Sequence, residues 1–197
     1  ISVKNGGSIK NGTIEHKSTV AAIKAFDVEA IENVTIKTTC ATANKTVTAI
    51  AVQQGGKVGS IKNVTIEGVS QGIEVGYQAT VGTIEDVTVT MNANGTAEGI
   101  GLVINGGKVG KATNCVFEGD NYGVRRQLKG EFDVALELAG CTATGTTASI
   151  AAYDEKGISN TSGSLTLTYD AATTLNGPFV WDFEDECKSV VTLNKPN

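Results

Sequence analysis

Few residues in this 197-residue chain are of a kind that does chemistry. There is a single His, His16, and only two Arg, the neighbours Arg125 and Arg126. His16 sits beside a turn and reads as a solvated turn residue rather than a catalyst. Acids gather once, in the run Trp181-Asp-Phe-Glu-Asp-Glu186. A calcium site needs several oxygens converging on one point. An extended strand sends its side chains to both faces, so this run reads as a capping strand, aromatic side inward and acidic side outward. Cys40, Cys115, Cys141 and Cys187 follow no zinc spacing, and no metal or other cofactor is expected. What remains is a mixed patch of Glu74, Tyr77, Asp120, Tyr122, Arg125 and Tyr153. Such groups on one face can hold a sugar chain through hydrogen bonds and aromatic stacking. The same residues can equally form a solvated face with weak ion pairs, which is the plainer reading.

The elements that position them come from a repeat. It reads Ile9-Lys-Asn-Gly-Thr-Ile14, Ile31-Glu-Asn-Val-Thr-Ile36, Ile61-Lys-Asn-Val-Thr-Ile66, Ile84-Glu-Asp-Val-Thr-Val89 and Ala112-Thr-Asn-Cys-Val-Phe117, with a weaker copy at Leu138-Ala-Gly-Cys-Thr-Ala143. Asn11, Asn33, Asn63, Asp86 and Asn114 step by 22, 30, 23 and 28 residues. Asn and Asp enter the left-handed backbone region cheaply, as a sharp bend between strands requires. Stacked coil on coil, they form a ladder of side-chain hydrogen bonds. Alternation sends Val34, Val64, Val87, Cys115 and Cys141 inward and Thr13, Thr35, Thr65 and Thr88 outward. Cys115 and Cys141 fall at equivalent inward positions of successive coils, about 4.8 Å apart. They can be a disulfide or two buried thiols.

A second strand recurs between the copies, anchored inward by Ile23, Ile50, Ile73, Ile100, Val124 and Ile150. Lys24, Ala51, Glu74, Gly101, Arg125 and Ala151 then point outward, as do Phe26, Gln53, Gly76, Val103, Gln127 and Tyr153. Arg126 is the difficulty, because strict alternation buries it without a partner. A bulge that frees it, or a carboxylate such as Asp154, is the expected remedy. An Arg126 buried and unpaired would count against this register. Asn-x-Ser/Thr sequons at Asn11, Asn33, Asn44, Asn63, Asn94 and Asn160 read as by-products of the repeat.

The pattern Gly-Ile-x-Val … Ile-x-Asn-Val-Thr-Ile resembles the repeats of the pectate-lyase-like superfamily over roughly residues 1–155. The resemblance implies an all-β, right-handed, single-stranded parallel β-helix, here of about seven coils of 22–30 residues. Residues 1–197 form one domain, with regular coils over 1–155 and irregular last coils plus a cap over 156–197. The superfamily's enzymes imply an Asp cluster holding calcium with an Arg or Lys base. Related polygalacturonases imply Asn-Thr-Asp, Asp-Asp, Gly-His-Gly and Arg-Ile-Lys motifs. None of these four motifs occurs in the chain, so no catalytic residue is carried over and adhesin-like surface members are the nearer likeness.

A net charge of −5 argues against nucleic acid as a partner. No apolar run reaches the roughly 20 residues of a spanning helix, so membrane insertion is not expected. The chain opens at Ile1 without Met or a signal peptide, as a processed chain or an excised piece would. It starts directly in a strand, which leaves an edge open to self-association, end to end or sideways. The expected function is adhesion, or binding of a polysaccharide or other cell-surface ligand, by a secreted or surface-exposed bacterial module. A polysaccharide lyase or hydrolase is the alternative, and a structural spacer or oligomerisation unit the third.

Overall fold

A computed structural model describes residues 1–40, 42–95, 97–128, 131–154, 162–182 and 189–194; side chains at 128, 131–134, 154, 162–163, 182, 189 and 191 lie outside that description. Its strands, in chain order, are β1 (Ser2–His16), β2 (Ile23–Thr38), β3 (Thr48–Val52), β4 (Lys57–Val69), β5 (Gln71–Val75), β6 (Thr80–Glu85), β7 (Thr88–Asn92), β8 (Ile100–Asn105) and β9 (Lys108–Thr113). They continue as β10 (Val116–Gly119), β11 (Tyr122–Leu128), β12 (Glu131–Ala139), β13 (Thr142–Thr144), β14 (Ala148–Asp154), β15 (Ser162–Tyr169), β16 (Thr174–Asn176), β17 (Phe179–Asp182) and β18 (Ser189–Asn194). Among the described residues there is no helix long and apolar enough to cross a membrane.

Every ladder between these strands is parallel, and each strand pairs with its counterpart one coil away. The chain is therefore a parallel β-solenoid, of about six turns rather than seven. It has three faces. Face A stacks β3, β5, β8, β11, β14 and β17 on the start of β2. Face B continues through β4, β6, β9, β12, β15 and β18. Face C holds β7, β10, β13 and β16 above the ends of β2 and β4. Ile, Val and Leu from all three faces fill the interior as one continuous core, which supplies the main favourable term for folding.

The corner between faces B and C carries the ladder. Asn11, Asn33, Asn63, Asp86 and Asn114 all have φ between 51° and 58°. Asn33 Nδ2 donates to Asn11 Oδ1 at 3.0 Å, Asn63 Nδ2 to Asn33 Oδ1 at 2.7 Å, and Asn114 Nδ2 to Asp86 Oδ1 at 3.3 Å. The column runs on through Gly140, at φ 61°, whose N–H donates to the Asp170 carboxylate. That hydrogen bond holds the Asp170 carboxyl below its ordinary range. Each amide donates toward the preceding coil, and a carboxylate has no proton to donate, so no bond of this kind joins Asp86 to Asn63. Asp86→Asn restores the missing donor. It is expected to stabilise the fold by about 0.5–1 kcal/mol, read as a higher denaturant midpoint with unchanged slope.

Beside the ladder runs a second axial device. Lys10, Glu32, Lys62 and Glu85 stand in one register column and alternate in sign. Lys10 pairs with Glu32 at 3.0 Å and Lys62 with Glu85 at 3.1 Å. Glu15, Lys37 and Glu67 form a parallel column with the opposite order. A coil displaced by one turn would set like charges together, so the columns favour one stacking order.

Two expectations need correction, and one alternative left open is resolved. The first concerns face A, where Ile73 pairs with Leu102 rather than Ile100, and Leu102 with Val124. The inward anchor of β8 is thus Leu102; Ile100 packs on the outside, and Val103 takes the outward place assigned to Gly101. Three consecutive apolar residues, Leu102-Val103-Ile104, follow Gly101, and alternation alone does not choose among registers in such a run. The second is Arg126. It is 1% exposed, between Ile104 and Ala152 in the inward column, with no bulge in β11. Continuous pairing on both sides from Val124 to Gln127 enforces alternation over that stretch, and the short Ala152 side chain leaves room. Arg126 Nη2 donates to Gly107 O at 3.2 Å, while Nε and Nη1 find no acceptor among the described residues. The Asp154 side chain lies outside the described residues. The open alternative is the cysteine pair: Cys115 and Cys141 are buried neighbours and both are free thiols, the second of the two readings the sequence allows. Cys115 Sγ donates to Thr113 O at 3.1 Å and Cys141 Sγ to Ala112 O at 3.3 Å. Hydrogen bonding to Cys141, followed by burial, pushes the Cys115 thiol up, so it acts as a small apolar side chain.

Candidate functional site

The outer side of face A departs from a solvated sheet. Ile100, Val103, Tyr122, Ala148 and Ala151 form an apolar cluster outside the solenoid core, with Tyr153 and Val180 packed against it. The register makes this cluster. Val103, Arg125, Ala151 and Val180 form one outward column, and Ile100, Tyr122 and Ala148 another. Small Ala residues above and apolar ones below give the two Tyr rings a floor to rest on.

Tyr122 and Tyr153 meet edge to face with centroids 6.2 Å apart, a geometry favoured by ring quadrupoles. Tyr153 Oη donates to Tyr122 Oη at 3.2 Å. Partial burial, and then that hydrogen bond, push the Tyr153 phenol up, so it stays a neutral donor. The Arg125 guanidinium lies 5.6 Å from the Tyr122 ring centre and forms an ion pair with Glu98. Glu98, Tyr122, Arg125, Gln127 and Tyr153 enclose an open cavity of about 330 Å³. Glu98 and Arg125 also line a second, more polar cavity of about 350 Å³ with Asn44, Thr46, Ser70, Gln71 and Ala97. The ion pair is thus shared by two cavities that form one groove along the solenoid axis.

Two loops build the far wall. Asn94 bridges to Ala97, and its side-chain amide donates to Thr42 O at 3.0 Å, tying the loop before β8 to the loop before β3. Gly99 N donates to Asn121 Oδ1 at 3.0 Å, which fixes the backbone just after Glu98.

Of the residues singled out in the sequence, Tyr122, Arg125 and Tyr153 come together here. Glu74 shares the outward column of Arg125 but lies beyond Val103, outside both cavities. Tyr77 sits in the turn after β5, where its carbonyl accepts from Gly55 N. Asp120 belongs to a stack of turns: Oδ2 accepts from Ala93 N at 2.6 Å and its carbonyl from the Thr146 hydroxyl. Glu98 and Gln127 complete the site; Glu98 lies in a loop, where strand alternation carries no signal. Its one legible clue is position, two residues before Ile100, which pairs with Tyr122 in the next coil.

His16 is at the end of β1, with Nε2 against Val20 O. Trp181 is 49% exposed in β17, beside Phe179 and in register with Ala152. The acids that follow Trp181 lie outside the described side chains. No group of three His, Cys, Asp or Glu among the described residues is placed to hold a metal ion.

What the fold defines is a parallel β-solenoid with an aromatic and polar groove on one face. No protein-family model, curated protein or solved structure matches the chain.

Proposed function

We propose that the chain is a non-catalytic binding module for a neutral glycan, with the groove of face A as its site. The observation that carries this reading is the axial groove itself. Two Tyr rings, a guanidinium, a carboxylate and carboxamide groups share it, over successive coils about 4.8 Å apart. An extended saccharide presents hydroxyls and apolar ring faces at a comparable pitch. Arg125 is already neutralised by Glu98, so the groove favours hydroxyls, which each partner of the pair can bridge, over a sugar carboxylate. A rigid solenoid bearing such a groove suits an adhesive module on a bacterial surface.

Hydrolysis of a glycosidic bond uses two carboxyl groups about 5–9.5 Å apart across the scissile bond. Among the described residues, the two cavities are lined by a single carboxylate, Glu98, held by Arg125. This favours binding over turnover.

The test is a glycan array of neutral and uronate-containing chains, with an assay for new reducing ends or unsaturated products on every bound glycan. Retention of neutral chains without products is expected, and Arg125→Ala should lower affinity about tenfold or more, the loss typical of a charged hydrogen-bonding group. Turnover, a preference for uronates, or binding unaffected by Arg125→Ala contradicts the proposal.

A further inference from the structure

The more polar of the two face A cavities contains a buried hydroxyl with nothing to bond to. Ser70 lines this cavity with only 1% of its surface exposed. A lining residue so deeply buried stands at the base. Its backbone is fully used: Ser70 N donates to Asn92 O at 2.9 Å, and its carbonyl accepts from Ile100 N at 2.7 Å. Its Oγ has no hydrogen-bond partner among the described residues, which leaves it to face the cavity. Buried polar groups are nearly always hydrogen-bonded, so an exception calls for a reason. Ser70 also holds φ at 76°, a region that residues other than Gly, Asn and Asp enter at a cost. Backbone strain of this kind clusters at binding and catalytic sites.

The groups around Ser70 are mostly donors. Gln71 Oε1 accepts from Thr48 Oγ1 at 3.3 Å, which fixes the amide with the two N–H groups of Nε2 still to be satisfied. Arg125 can only donate. Glu98, its ion-pair partner, is the acceptor, and Ala97 supplies an apolar wall. The space of about 350 Å³ thus asks for a ligand group with an acceptor, a donor and a small apolar end.

We propose that this cavity is the subsite for the acetamido group of an N-acetylated amino sugar, so that the groove takes a neutral chain containing 2-acetamido residues. The inference rests on the reading of face A as a glycan site. An acetamido group matches the cavity at each of its parts. Its carbonyl oxygen accepts from Ser70 Oγ and Gln71 Nε2, its N–H donates to Glu98, and its methyl packs on Ala97. Reach separates it from a plain hydroxyl. A ring hydroxyl ends at its oxygen, whereas an acetamido group extends well past that point, toward a donor at the base. It carries no charge, so the Arg125–Glu98 pair stays intact. The aromatic cavity on the other side of that pair takes the ring face of a neighbouring sugar against Tyr122 or Tyr153.

The test is isothermal titration of the whole chain with matched tetrasaccharides of gluco and galacto configuration, each made with 2-acetamido or with 2-hydroxyl groups. The acetamido member of at least one pair is expected to bind about tenfold more tightly than its hydroxyl partner, since a site built to hydrogen-bond a group rejects the analogue that lacks it. Ser70→Gly removes the hydroxyl and accepts the positive φ without strain. With a native circular dichroism spectrum, this variant should lose most of the preference. Equal binding within both pairs, tighter binding of the hydroxyl members, or a preference unchanged in Ser70→Gly overturns the inference while leaving face A as a glycan site. Binding of none of the four overturns it as well, and failure of every neutral glycan on the array removes the reading on which it rests.

Discussion

Replacing Arg126 with Met should stabilise the protein by about 1–4 kcal/mol, several degrees in Tm for a chain of this length. Arg126 brings a full charge into a column otherwise filled by Val52, Val75, Ile104 and Ala152. One backbone hydrogen bond to Gly107 is all it gains among the described residues. Burial lowers the guanidinium well below its ordinary range, to about 10. A base whose folded pKa is depressed binds its proton more tightly when unfolded. The cost is therefore present throughout the neutral range and disappears only as pH rises above about 10 toward the ordinary guanidinium value. That shift corresponds to a penalty on the order of 3 kcal/mol. Met has similar reach, no donors to satisfy, and enough flexibility to fill an irregular space. Arg126→Lys keeps the charge and should bring no gain. Thermal unfolding followed by circular dichroism decides the matter. A Met variant less stable than the parent would show that a carboxylate pairs with Arg126 after all.

The second large effect concerns the ladder. Asn33 lies at its centre, donating to Asn11 and accepting from Asn63, with φ 55°. Asn33→Ala loses both hydrogen bonds and forces a Cβ-bearing residue without a compensating polar group into the left-handed region. The combined cost is about 2–3 kcal/mol. Asn33→Gly removes the same hydrogen bonds but tolerates the backbone, so it should cost about 1 kcal/mol. Denaturant unfolding of the two variants separates the terms. Equal losses for Ala and Gly would mean that the bend itself contributes nothing and the amides everything.

The solenoid was legible in the sequence because one physical requirement recurs at every coil. A left-handed corner admits few residue types, so Asn and Asp mark it at 11, 33, 63, 86 and 114. Val and Ile around each corner then declare which side faces in. Beyond Asn114 the signal weakens for a visible reason: Gly140 and Asp170 hold the next corners without repeating the full motif. Face A was harder. Its anchors lack a corner residue of fixed type, and at β8 the apolar run Leu102-Val103-Ile104 conceals the phase. Reading Ile100 as the anchor in place of Leu102 also missed that alternation breaks at Gly101, which leaves Ile100 outside in the apolar cluster that supports the Tyr rings. Tyr122, Arg125 and Tyr153 were found because strand alternation places them. Glu98 comes from a loop whose position depends on contacts with Thr42 and Asn121. Such contacts have no local sequence signature. The thiols of Cys115 and Cys141 illustrate a further limit, since register brings the two side chains together but does not decide whether they are oxidised.

The groove on face A is the centre of the functional account, and Tyr153 tests it most directly. Tyr153 lines the cavity, is only half-buried and stacks on Tyr122 at the surface, so its removal leaves the solenoid core in place. The measurement is isothermal titration of the best-retained neutral glycan into the parent protein and into Tyr153→Ala. Binding to the parent is expected, with an affinity about tenfold lower for the variant, the scale of one lost aromatic contact with its hydrogen bond. Undiminished affinity in a correctly folded Tyr153→Ala protein would contradict it and place the ligand elsewhere on the molecule.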